Sequence, residues 1–172
     1  MQKNSTLLKR VKVILSITVV LLTLALLYLS STRHIVTTKA TSFDVPVGMV
    51  AGKFQDSDCG MVIDSLEYAS QVIAPSLDVW FFHDHGGMIK WLDGKSFENE
   101  ARIFVVCRDT KRFVEAREAF YSTDEQTPMG YGFGAYENFK EGLIDFEQMR
   151  LRVLRGESMQ NSILRKKSDA KR

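Results

Sequence analysis

Residues 77–92 read LDVWFFHDHGGMIKWL, and this stretch decides the fold class. Leu77–His83 is dense in aromatic and β-branched side chains, the composition of a strand. Gly86 and Gly87 break the extended backbone. Met88–Leu92 then predicts one or two helical turns before Asp93-Gly94 ends them. Upstream, Tyr68–Ala74 predicts a second strand. Downstream, Arg102–Cys107 (RIFVVC) is a short apolar run bounded by charges, the pattern of a central strand. The order is β-β-α-β, and the class is α+β.

A smaller lobe is expected after it. Phe113–Tyr121 reads equally as strand or helix, and Gln126–Gly134 (QTPMGYGFG) is rich in turn residues. Leu143–Leu154 places apolar residues at 143, 146, 149, 153 and 154, close to helical spacing. The expected division is a basic segment 1–12, an apolar anchor 13–32, a polar stalk 33–56, a first lobe 57–110, a second lobe 111–156 and a basic tail 157–172.

The anchor reading rests on length. Val13–Thr32 is a run of 20 residues without a charge. At about 1.5 Å per residue it spans roughly 30 Å, the thickness of a bilayer's hydrocarbon core. Lys3, Lys9, Arg10 and Lys12 precede the run, whereas Arg33 and Lys39 follow it. The positive-inside rule then puts the N-terminus in the cytoplasm and the remainder outside, in the periplasm, as a single-pass protein of the cytoplasmic membrane. The rival is a cleavable signal, whose apolar region is usually shorter and ends at a small-x-small site; Ser30-Ser31-Thr32 is a poor match.

Charge is unevenly placed. Residues 40–149 hold 9 Lys and Arg against 19 Asp and Glu, while 150–172 hold 8 against 2. An acidic body repels phosphate backbones, so nucleic acid is not an expected partner. There is no phosphate-binding glycine loop, no nucleophile elbow and no H-E-x-x-H helix, and an enzyme is not expected.

Three short segments carry candidate metal chemistry. In Cys59-Gly60-Met61, an extended backbone would put thiolate and thioether on one side, and soft sulfur donors select Cu(I); the competing reading is a small buried cysteine beside a core methionine. In His83-Asp84-His85, two imidazoles with same-face spacing at a strand end suit copper or zinc; the competing reading is a polar turn capping the helix of Met88. Met129, in Pro128-Met129-Gly130, stands among turn residues and offers a third soft donor; the competing role is filling a gap between lobes. Cys107 lies inside an apolar run and reads as a buried thiol, although an outward location also allows a Cys59–Cys107 disulfide. Met88, Tyr131, Phe133 and Tyr136 are expected to pack.

Taken in order, Asp58-Cys59-Gly60-Met61, Phe81-Phe82-His83-Asp84, Met88 with Trp91-Leu92, and Pro128-Met129-Gly130 resemble the NosL family, accessory proteins of nitrous oxide reductase. The similarity covers roughly residues 56–150. It implies two small ββαβ-type lobes and a Cu(I) metallochaperone on the outer face of the cytoplasmic membrane. The implied recipient is the copper cluster of nitrous oxide reductase, assembled with an ABC-type maturation transporter. The implied ligands are Cys59 and Met61, with Met129 as a further thioether. Two departures stand out. Members commonly carry a lipid anchor, where this chain has an apolar run without a lipid-accepting cysteine. Many also have a cysteine just ahead of the methionine at Met88, where this chain has Gly87. His83 and His85 are the candidate substitutes.

Overall fold

The computed structural model describes residues 2–31, 34–159 and 161. The helix of the first 33 residues forms one compact unit and the chain from His34 onward another. Most of the expected basic tail, from residue 162 on, lies outside the described residues.

Helix α1 spans Gln2–Ser31, and its segment Arg10–Ser30, 21 residues, is long and apolar enough to cross a membrane. Three hydroxyls in its apolar stretch are satisfied within the helix: Ser16, Thr18 and Thr23 donate back to the carbonyls of Val13, Ile14 and Val20. Hydroxyls bonded this way keep their donors paired within the helix, which suits an apolar environment.

The second unit is α+β. Its elements are β1 (Thr37–Lys39), β2 (Ser70–Ile73), β3 (Asp78–Phe82), α2 (His85–Leu92), β4 (Arg102–Val106), β5 (Phe113–Glu115), β6 (Phe120–Tyr121), β7 (Ala135–Tyr136) and α3 (Phe146–Leu154). Five strands form an antiparallel sheet in the order β1-β3-β2-β4-β5, and β6 pairs with β7 in a short second sheet.

The expected β-β-α-β order is present as β2–β3–α2–β4. The central strands are buried on both faces, which is why VWFF and IFVV run apolar without alternation. Val72, Phe82, Ile103 and Val105 face one core with Met88, Ile89 and Leu92 of α2. Ile73, Val79, Phe81, Phe104 and Val106 face the other. Residues after 110 supply edge strand β5, the second sheet and α3. Tyr121, Phe133, Ile144, Phe146, Met149 and Val153 share the first core with α2, so this region packs on the same apolar layer.

Several local readings change for identifiable reasons. Leu77 has φ 65° and belongs to the turn between β2 and β3, where its N–H reaches the Ala74 carbonyl. Phe113–Tyr121 resolves into a short strand, a turn of 3-10 helix at Ala116–Glu118, and another short strand. α3 starts at Phe146 because Asp145 caps it, accepting from Gln148 N at 2.8 Å.

The largest change concerns residues 34–56, expected as a polar stalk. Thr37–Lys39 pairs with β3 as an edge strand, and Ala40, Met49 and Phe54 enter the second core. Gln71, fully buried, fastens the segment: its Oε1 accepts from Val47 N at 2.8 Å and its Nε2 donates to Val47 O at 3.0 Å. A sheet buried on both faces needs a second cover, and this segment provides it.

Candidate metal centre

The loop 56–61 is organised by one carboxylate. Asp56 Oδ1 accepts from the backbone N–H of Asp58 at 2.8 Å and of Cys59 at 3.1 Å. Asp56 Oδ2 accepts from His83 N at 2.8 Å and makes a very short contact with His83 Nδ1. A single side chain, only 2% exposed, thus binds the cysteine loop to the end of β3. Ser57 N also donates to Phe81 O at 2.8 Å, docking the loop along the strand.

The loop closes on itself through Asp56 N to Met61 O at 2.8 Å and Gly60 N to Asp56 O at 3.0 Å. Gly60 takes φ 75°, a conformation that costs glycine least. The Cys59-Gly60-Met61 tripeptide is therefore a tight turn, and the extended, same-side arrangement expected from the sequence does not form.

Cys59 Sγ lies 3.9 Å from His83 Nδ1. One donor atom each from Asp56, Cys59 and His83 falls within 4.8 Å of the other two. The electrostatics are coupled. Burial raises the Asp56 carboxyl, yet its hydrogen bonds with His83 and the loop outweigh this and hold it below its usual value. The Asp56 hydrogen bond raises His83, against its burial. Burial raises the Cys59 thiol; the Met61 N–H works against this, and the Asp56 and Asp58 charges add to it.

Met129 reaches the neighbouring side. Asp84 caps α2 with Oδ1, which accepts from Gly86 N at 3.1 Å, while its Oδ2 accepts from Met129 N at 2.9 Å. Tyr131 packs directly on Gly86: a Cβ there would lie 2.1 Å from the ring. These two contacts clamp the 127–132 loop on the start of α2. The Met129 sulfur and an Asp58 carboxylate oxygen then converge over Gly87, 3.4 and 3.5 Å from where its Cβ would stand.

The sequence candidates thus separate. Cys59 and His83 meet, Met129 comes up beside Asp58, and Met61 is 50% exposed. His85 goes elsewhere. β3 ends at Phe82 and α2 begins at His85, so the strand spacing assumed for the two histidines does not apply. His85 is 0% exposed, edge-on to Tyr121 with ring centroids 6.0 Å apart, and neither ring nitrogen has a hydrogen-bond partner. Burial pushes it down to about 3, so it is neutral at physiological pH.

Asp56 was not legible as a site residue. It falls in the segment expected as a stalk, 27 residues from His83. The available signal was Asp56-x-x-Cys59, since an Asp accepting from N–H groups two and three residues on is a common turn anchor.

Both cysteines are free thiols. Cys107 is fully buried in the first core, and burial pushes its thiol up to about 12. A thiol-modifying reagent is expected to label one cysteine in the folded protein, Cys59, with Cys107 reacting only after denaturation. Mass spectrometry of the labelled peptides checks this, and native labelling at Cys107 would overturn the core assignment.

No protein-family model, curated protein or solved structure matches the chain.

Proposed function

We propose that the chain is a membrane-tethered Cu(I)-binding protein that captures the ion outside the cytoplasmic membrane and hands it on. The observation that carries this reading is the approach of Cys59 Sγ to His83 Nδ1, 3.9 Å, in a loop that leaves the cysteine half-buried. A thiolate and an imidazole are strong donors for Cu(I), and the thioethers of Met61 and Met129 would supply further soft ligands. Met61, half exposed, suits a ligand that an acceptor's donor group replaces during transfer.

The enzyme alternative needs a thiol on one imidazole nitrogen and a carboxylate on the other. Here Asp56 and Cys59 both approach Nδ1, which favours a shared ion over a proton relay. The disulfide alternative is disfavoured by Cys107, which is enclosed in the core as a free thiol.

Location and recipient follow from other features. The apolar length of Arg10–Ser30 and the basic residues before it support a single-pass anchor with the second unit in the periplasm. The resemblance to NosL proteins supports nitrous oxide reductase as the recipient, with its ABC-type maturation transporter as a partner.

The test is a Cu(I) competition titration of the full chain in detergent micelles against a chromogenic Cu(I) chelator. One equivalent of tight binding is expected, lost in Cys59→Ser and weakened in His83→Gln, Met61→Leu and Met129→Leu. No competition by the fully reduced wild type would end the copper reading.

A further inference from the structure

We propose that Asp56, Cys59 and His83 also form a site for a divalent cation of the zinc class, with solvent in the fourth position. The proposal shares two ligands with the Cu(I) reading but does not depend on it, because the thioethers take no part.

Donor chemistry is the first argument. One sulfur, one imidazole nitrogen and one carboxylate oxygen converge, and this mixed set suits a borderline divalent ion. A carboxylate adds little for Cu(I). Charge is the second. Thiolate and carboxylate together carry two negative charges, which balance a divalent ion; a monovalent ion would leave one uncompensated beside the further negative charge of Asp58.

Geometry is the third. Ligands held at 2.0–2.3 Å around tetrahedral zinc stand roughly 3.3–3.8 Å apart. Cys59 Sγ and His83 Nδ1, at 3.9 Å, are already close to that spacing. The Asp56–His83 contact is a hydrogen bond and must widen to admit the ion. The carboxylate stays in place as it does so. Its bonds from Asp58 N, Cys59 N and His83 N do not involve the bridging hydrogen and remain. Starting from the Asp56 carboxylate and the His83 imidazolium, one divalent ion enters and two protons leave, the Nδ1 proton and the Cys59 thiol proton, and the neutral imidazole keeps its proton on Nε2. Three protein ligands leave the fourth tetrahedral position to solvent, which would reach the ion beside the half-buried Cys59.

The test uses the full chain in detergent micelles, with Co(II) as spectroscopic probe and Zn(II) as competitor. A 1:1 complex is expected, with a sulfur-to-cobalt charge-transfer band and the strong visible bands of four-coordinate cobalt, all removed by Zn(II). Cys59→Ser should abolish the charge-transfer band. Asp56→Asn and His83→Gln should weaken Zn(II) by roughly tenfold to a hundredfold, while Met61→Leu and Met129→Leu leave it unchanged. Absence of the charge-transfer band in wild type overturns the proposal. So does unchanged Zn(II) affinity in a folded Asp56→Asn, or in His83→Gln should Asp56→Asn not fold. Zn(II) binding by a protein that fails to compete for Cu(I) would sustain this site and remove the copper reading alone.

Discussion

Asp56→Ala is expected to lower the stability of the folded chain by about 3–5 kcal/mol, the cost of deleting one partner from a buried, hydrogen-bonded pair. The substitution removes an acceptor used four times. The N–H groups of Asp58 and Cys59 lie near the surface and regain water. The His83 N–H and Nδ1 are buried and do not, so they account for most of the loss. Asp56→Asn separates the two halves of the effect. Its amide oxygen still accepts from the loop, but its NH2 group then faces the His83 N–H, donor against donor. About half the destabilisation is expected. Equilibrium urea unfolding of the full chain in micelles, followed by tryptophan fluorescence, measures both variants. A loss below about 1 kcal/mol in Asp56→Ala would mean that the loop and β3 are held together by other contacts.

His85→Phe is expected to leave the protein at least as stable as wild type at pH 7 and to remove much of its sensitivity to acid. The folded protein keeps His85 neutral down to about 3, chiefly because burial penalises the cation, with the Glu125 charge opposing in part. The unfolded chain protonates it near 6.5. Between those values the unfolded state binds the extra proton, so stability from this residue falls as pH falls. The slope is about 1.4 kcal/mol per pH unit, and below about pH 3 the loss stops growing. At pH 4.5, wild type should therefore have lost roughly 2–3 kcal/mol that His85→Phe retains. The aromatic replacement keeps the edge contact with Tyr121 and removes two buried nitrogens that lack partners. Parallel stability curves for the two proteins from pH 7 to 4.5 would show that His85 has access to a proton in the folded state.

Much of the sheet was legible because its strands are short apolar runs between turn residues. VWFF and IFVV could be placed from composition alone, but the strand-to-helix break falls at His83-Asp84, where Asp84 caps α2, and Gly86-Gly87 lie inside the helix. The Leu143–Leu154 periodicity located α3 to within a few residues. Thr37–Lys39 and Phe54 were not legible. Three strand residues and one aromatic in a polar stretch make no periodic signal, and their burial exists only because the second face of the sheet needs a cover.

The site divides along the same line. By itself the sequence determined the inventory: a cysteine beside a glycine, two histidines between a strand and a helix, a methionine among turn residues, and an apolar run of membrane length. Those are properties of residue type and local spacing, which the chain carries whatever its fold. Only the tertiary structure decided which donors meet. It turned His85 into the core and left His83 on Asp56, because α2 begins at the second histidine. It brought Asp56 across 27 residues to join Cys59 with β3, and the Asp84 carboxylate carried Met129 to the start of α2 across 45. Such contacts are set by how strands and helices pack, and no spacing within one segment records them.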